Sequence, residues 1–109
     1  MATEYLLRKG HRRIGYLRGE FRIKAFRSRA VGYATALNKA GLVPEKRYTV
    51  TLSTTINGAY EDMKAYLKTG PELPTAYFAD NDMVALGAIR ALQERGIRCR
   101  EVSLWMGFD

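Results

Sequence analysis

The stretch Thr75-Ala76-Tyr77-Phe78-Ala79-Asp80-Asn81-Asp82 decides the fold. Pro74 precedes a short apolar run, residues 75–79, which reads as a strand bounded by turn residues. Carboxylate and amide side chains follow at once, with Asn81 or Asp82 placed to cap a helix. Residues 83–95 are strong helix formers, and Gly96 ends them as a residue past a helix C-terminus often does. A strand that feeds a helix through polar residues is half of a βαβ unit.

The same pattern extends in both directions. Residues 102–106 read as the next strand, which runs into Gly107-Phe108-Asp109. Upstream, residues 56–67 form a helix with Ala59, Met63, Tyr66 and Leu67 on its apolar face, broken by Gly70-Pro71. Residues 48–52, rich in Thr, Val and Tyr, form a strand. Residues 28–40 form a helix in which Ala30, Tyr33, Ala34 and Leu37 recur at helical spacing before Gly41. Residues 13–18 alternate as a strand. Residues 2–9 look like the end of a helix stopped by Gly10. Strand centres near residues 16, 50, 77 and 104, each gap holding one helix, define an α/β protein with a parallel sheet covered by helices on both faces. The helix before the first strand has no strand partner in this chain. It reads as though it arrives from a neighbouring subdomain.

Composition bounds the function. An apolar share of 47% suits a globular domain, and no apolar run is long enough to span a membrane. Residues 1–5 lack the basic-then-apolar pattern of a leader. The single cysteine, Cys99, has neither a disulfide partner nor a second thiol for zinc. Together these point to a cytoplasmic setting, no cofactor and no metal. The net charge of +7 is uneven: residues 1–29 hold nine Lys/Arg against Glu4 and Glu20, whereas residues 30–109 hold nine of each sign. A phosphate or nucleic-acid contact is one reading. A solvated flank is the plainer one and is favoured, because no DNA-reading motif accompanies the charges. No Walker loop, dinucleotide fingerprint or nucleophile elbow occurs, so the chain is not read as an enzyme.

In open parallel sheets, ligands bind beyond the carboxyl ends of the strands. Gly19 and Glu20 lie there after the first strand, with Arg29 near the following helix start. Ser53, Thr54 and Thr55 follow the second strand, Asp80, Asn81 and Asp82 the third, and Asp109 the fourth. This donor and acceptor set suits a neutral polyhydroxylated ligand. Each residue also has a plainer reading: Asp82 as a helix cap, Asn81 as either cap or ligand contact, Arg29 as a surface arginine, Asp109 as a solvated end. His11 reads as a turn residue rather than an acid–base catalyst. Tyr33, Tyr60, Tyr66 and Trp105 read as core or interface.

Taken in order, the motifs resemble bacterial lactose-repressor-type transcriptional regulators. Gly10-His11-Arg12-Arg13-Ile14 is similar to their "GHRRI" segment, Arg29 to Tyr33 to "RxxGY", Phe78 to Gly87 to "FAxNDxxAxG", and Gly96-Ile97 with Gly107-Phe108-Asp109 to "GI…GFD". Arg100 and Val102 depart from the usual proline and aspartate. The resemblance implies a two-lobed periplasmic-binding-protein-like effector domain, of which residues 1–12 would end the N-terminal lobe and residues 13–109 would form the C-terminal lobe, truncated at its C-terminus, with Arg29, Asn81 and Asp109 contacting a small, sugar-like effector. It implies a homodimer with Leu86 at the interface, and operator DNA bound through an N-terminal domain that this chain lacks. Effector binding would then act by population shift. A sugar-binding protein of a transport system is the alternative.

Overall fold

The computed structural model describes residues 2–20, 24–97 and 101–104. The elements run α1 (Ala2–Arg8), β1 (Ile14–Gly19), α2 (Lys24–Lys39), β2 (Thr49–Leu52, preceded by a 3-10 turn at Lys46–Tyr48), α3 (Ile56–Lys68), β3 (Ala76–Ala79), α4 (Asp82–Glu94) and β4 (Glu101–Leu104). The four strands form one sheet in the order β2-β1-β3-β4, and every pairing is parallel. This is the α/β architecture expected from the alternation of strands and helices. Strand boundaries shift by about a residue, and one helix start shifts by a full turn: α2 begins at Lys24 rather than the expected residue 28. No acidic residue marks its first turn, so the usual start signal was missing there.

Side chains alternate across the sheet, as the period of two requires. Ile14, Tyr16, Ala76 and Phe78 face α1 and α2, where they meet Leu6, Tyr33 and Leu37. Leu17, Val50, Leu52, Tyr77 and Ala79 face α3 and α4, where they meet Ala59, Met63, Leu67, Val84 and Ala88. The central strands β1 and β3 are covered on both sides, which accounts for their nearly continuous apolar sequence. α1, expected as the end of a preceding lobe, rests its fully buried Leu6 on this sheet against β1, β3 and α2.

Two glycines carry local requirements. Gly96 has φ +67 and closes α4, with its own N–H on Gln93 O and the Ile97 N–H on Leu92 O, both at 3.0 Å. Gly87 lets α4 approach α3: a Cβ there would lie 2.6 Å from both the Ala59 Cβ and the Ile56 carbonyl oxygen. The α3–α4 pair is thereby fixed at close range, and with it the start of α4.

Candidate functional site

The strand order places a topological switch between β1 and β3. After β1 the chain crosses to β2 on one side, and after β3 it crosses to β4 on the other. Helices α2 and α4 therefore leave on opposite faces, which opens a crevice beyond the ends of β1 and β3, where ligands of open α/β sheets bind.

Asn81 stands at this point. Its backbone is extended (φ −157, ψ 175), and its Oδ1 accepts the Val84 N–H at 3.0 Å, making it the N-cap of α4. Asp82, for which capping was the plainer expectation, is instead the exposed first residue of the helix, where its charge complements the helix dipole. The cap uses the amide oxygen. The partly exposed Asn81 side chain also carries an –NH2 end, with two donors suited to hydroxyl or carboxylate oxygens.

Asp80 behaves differently from a ligand residue. It is 1% exposed. One carboxylate oxygen accepts the Tyr16 hydroxyl proton, and the other accepts the Gly19 N–H at 2.8 Å. Its carboxylate is a tie between β1 and β3. Nothing in the sequence reported this, because the partners lie 61 and 64 residues away. Tyr16 in turn stacks on Tyr33 and Phe78, with ring centroids 5.1 and 5.6 Å apart, and the Tyr33 hydroxyl donates to Ile14 O at 2.6 Å. Burial pushes the Tyr33 hydroxyl well above the usual tyrosine range, and the Glu45 charge adds to this, so it stays neutral.

The hydroxyls after β2 are largely committed. Ser53 gives both its N–H and its Oγ–H to Asp62 of α3, at 2.9 and 2.8 Å. The Thr55 Oγ1 caps α3 by accepting the Gly58 N–H at 3.0 Å. Thr54, Thr55, Ile56, Asn57 and Met83 line an open depression of about 610 Å³ between the N-terminal ends of α3 and α4. Arg29 lies in α2, but its side chain is outside the described part of the structure, as are Asp109, Cys99 and Trp105. The structure therefore brings Asn81 to the crevice and leaves the other two expected contacts undescribed. Leu86 lies on α4, half exposed, in line with Met83 one turn earlier.

His11, Tyr60 and Tyr66 lie away from this edge and are held in contacts within the fold. His11 is buried at the opposite edge of the sheet, its Nδ1 2.9 Å from the Thr75 Oγ1, as a turn residue would be. Tyr60 is buried and gives its hydroxyl to Glu94, and Tyr66 donates to Arg47 O at 3.1 Å. Among the described residues no group of three or more His, Cys, Asp or Glu could hold a metal, and no helix is long and apolar enough to cross a membrane.

A parallel sheet with a polar switch point, covered by helices on both faces, defines an open α/β domain. The chain belongs to the periplasmic-binding-protein-like family: residues 3–109 match the periplasmic binding protein-like domain, and the solved structures it resembles include LacI-family transcriptional regulators. The HTH-type transcriptional repressor PurR of Haemophilus influenzae (strain PittEE) is 39% identical over 114 residues, covering all of this chain and 32% of the relative. The ribose operon repressor of Escherichia coli (strain K12) is 34% identical over 109 residues, again covering the whole chain and 33% of the relative. The chain thus spans about a third of the length of these relatives. Among solved structures, a LacI-family regulator from Sanguibacter keddieii superposes with TM-score 0.79 at 38% identity, over 94% of this chain and 39% of that one. A complex of the regulator CelR with cellobiose gives 0.78 at 31%, over 94% and 32%.

Proposed function

We propose that this chain is the effector-sensing and dimerising part of a DNA-binding transcriptional regulator, and that its effector is a small, sugar-like molecule. The observation that carries the reading is the position of Asn81, an N-cap whose –NH2 end remains for a ligand at the β1/β3 switch point. Arg29 would hold an acidic or hydroxyl group of the effector, and Asp109 would accept from its hydroxyls. No catalytic step is needed, and none is assigned. The solved complex of CelR with cellobiose supports the carbohydrate class, and the repressors named above favour a regulator over a transport protein.

Operator DNA would be bound by a domain outside this chain, in the cytoplasm. Two copies would meet along α4, with Leu86 and Met83 buried between them, since these half-exposed apolar side chains lie on one face of the helix. Effector binding would favour one closure of the two lobes over another and so shift how paired DNA-binding domains sit on their operator.

The test uses the intact protein bound to an operator duplex obtained by selection from random DNA. D-ribose and cellobiose are titrated in, and operator affinity is read by fluorescence anisotropy. A change in affinity that Asn81→Ala abolishes supports the reading. No response to either sugar counts against the sugar-like class, and a response unchanged by Asn81→Ala removes the site.

A further inference from the structure

Asp80 sits directly behind the proposed effector contact, yet it is too buried to touch a ligand. Its role follows from the strand register. Leu17 stands opposite Ala79, and the Asp80 N–H continues the ladder onto Leu17 O at 3.1 Å. Gly19, two residues on, would fall opposite Asn81 and would next donate to the Asp80 backbone carbonyl. It donates instead to the Asp80 side chain, at 2.8 Å. The carboxylate takes over the ladder position, so the backbone can peel away one residue early and enter the α4 cap at Asn81. The second carboxylate oxygen holds the Tyr16 hydroxyl, and the Tyr16 ring is stacked on Tyr33 of α2. Arg29 lies one turn before Tyr33 on that helix. One buried side chain therefore joins the element that carries Asn81 to the elements that carry Gly19 and Arg29.

We propose that Asp80 is a positioning residue for the effector crevice: its carboxylate replaces a ladder carbonyl and, through Gly19 and Tyr16, fixes the Asn81 amide at the β1/β3 switch point. The inference rests on the reading of Asn81 as an effector contact. A carboxylate does this where a hydrophobic residue of similar size would not. It satisfies two donors, one of which, the Gly19 N–H, would otherwise be buried without its ladder acceptor.

The experiment is nuclear magnetic resonance of the intact protein with 15N-labelled Asn and Gly. It follows the Asn81 side-chain amide signals and the hydrogen exchange of the Gly19 N–H. Asp80→Ala should displace or broaden the Asn81 amide signals and speed Gly19 exchange at least tenfold. Asp80→Asn retains an oxygen for Gly19 and should restore its protection. Tyr16→Phe keeps the ring stack and should displace Asn81 by a smaller amount. Leu67→Ala, a core truncation in the last turn of α3, serves as the control for general loosening and should leave both signals in place. If Asp80→Ala leaves both unchanged, or Leu67→Ala moves them equally, the inference is overturned. Should Asp80→Ala not fold, Tyr16→Phe decides, and unchanged Asn81 signals in it overturn the inference. These outcomes are distinct from a failure of Asn81→Ala to alter the effector response, which would overturn the effector assignment itself.

Discussion

Adding one methyl group at Gly87 tests the packing that places the start of α4. In an isolated helix, Gly→Ala is favourable by about 1 kcal/mol. Here the new Cβ would lie 2.6 Å from the Ala59 Cβ, 2.6 Å from Ile56 O and 2.7 Å from Tyr60 N. Ordinary carbon contacts lie at roughly 3.5–4.0 Å, so α3 and α4 must separate by about 1 Å. Two of the three clashing atoms are backbone, so no rotamer change relieves them. Overpacking of this kind costs about 1–3 kcal/mol, and backbone clashes put it at the upper end. After the propensity gain, the net loss is about 1–2 kcal/mol. The assay is hydrogen exchange of the intact protein, read at the amides of Met63 and Ala88, which lie in the fully buried α3–α4 seam. At about 1.4 kcal/mol per factor of ten, their exchange should speed roughly tenfold in Gly87→Ala. Slower exchange, the result expected from helix propensity alone, would refute the close approach of the two helices.

Two further predictions follow from single contacts. Thr55→Ala removes the cap that accepts the Gly58 N–H and should weaken the first turn of α3 by about 1 kcal/mol, seen as faster exchange of its first-turn amides. Glu72 accepts a hydrogen bond from Tyr48 and pairs with Arg47, and these hold its carboxyl below the usual value of 4.5. Because the folded pKa is the lower one, the stabilisation is present above the unfolded value and is lost as pH falls through the folded one. Stability measured down an acid series should therefore decline in that window, and the decline should be shallower in Glu72→Gln.

The order of strands and helices was legible because alternating and helical periods are written along the chain, and because Gly10, Gly41, Gly70 and Gly96 punctuate it. Tyr77 and Phe78, adjacent in sequence and fully buried on opposite faces, show why a central parallel strand reads as a plain apolar run. The cap of α4 was legible only to within a residue: Asn81 and Asp82 are both capping types, the sequence favoured Asp82, and the fold gives the contact three positions on to Asn81. The start of α2 was not, because the residues before 28 carry no cap signal. The tie from Asp80 to Tyr16 and Gly19 was invisible for a different reason. It depends on which strands become neighbours, and a β1–β3 pairing that skips β2 cannot be read from spacing. Ser53 misled in the same way. As a hydroxyl past a strand end it suited a ligand, but the next helix supplies Asp62 to accept from it.

Asn81→Asp in the intact protein separates an effector contact through the Asn81 –NH2 end from a helix cap alone. Asp caps helices about as well as Asn, so the thermal midpoint should stay within a few degrees of the parent. The substitution exchanges two donors for a charged acceptor at the crevice. The sugar concentration needed for half-maximal change in operator affinity, with D-ribose and cellobiose as probes, should rise at least tenfold, while affinity for the operator without sugar is retained. An unchanged midpoint with an unchanged sugar response would rule out the effector contact and leave Asn81 as a helix cap alone.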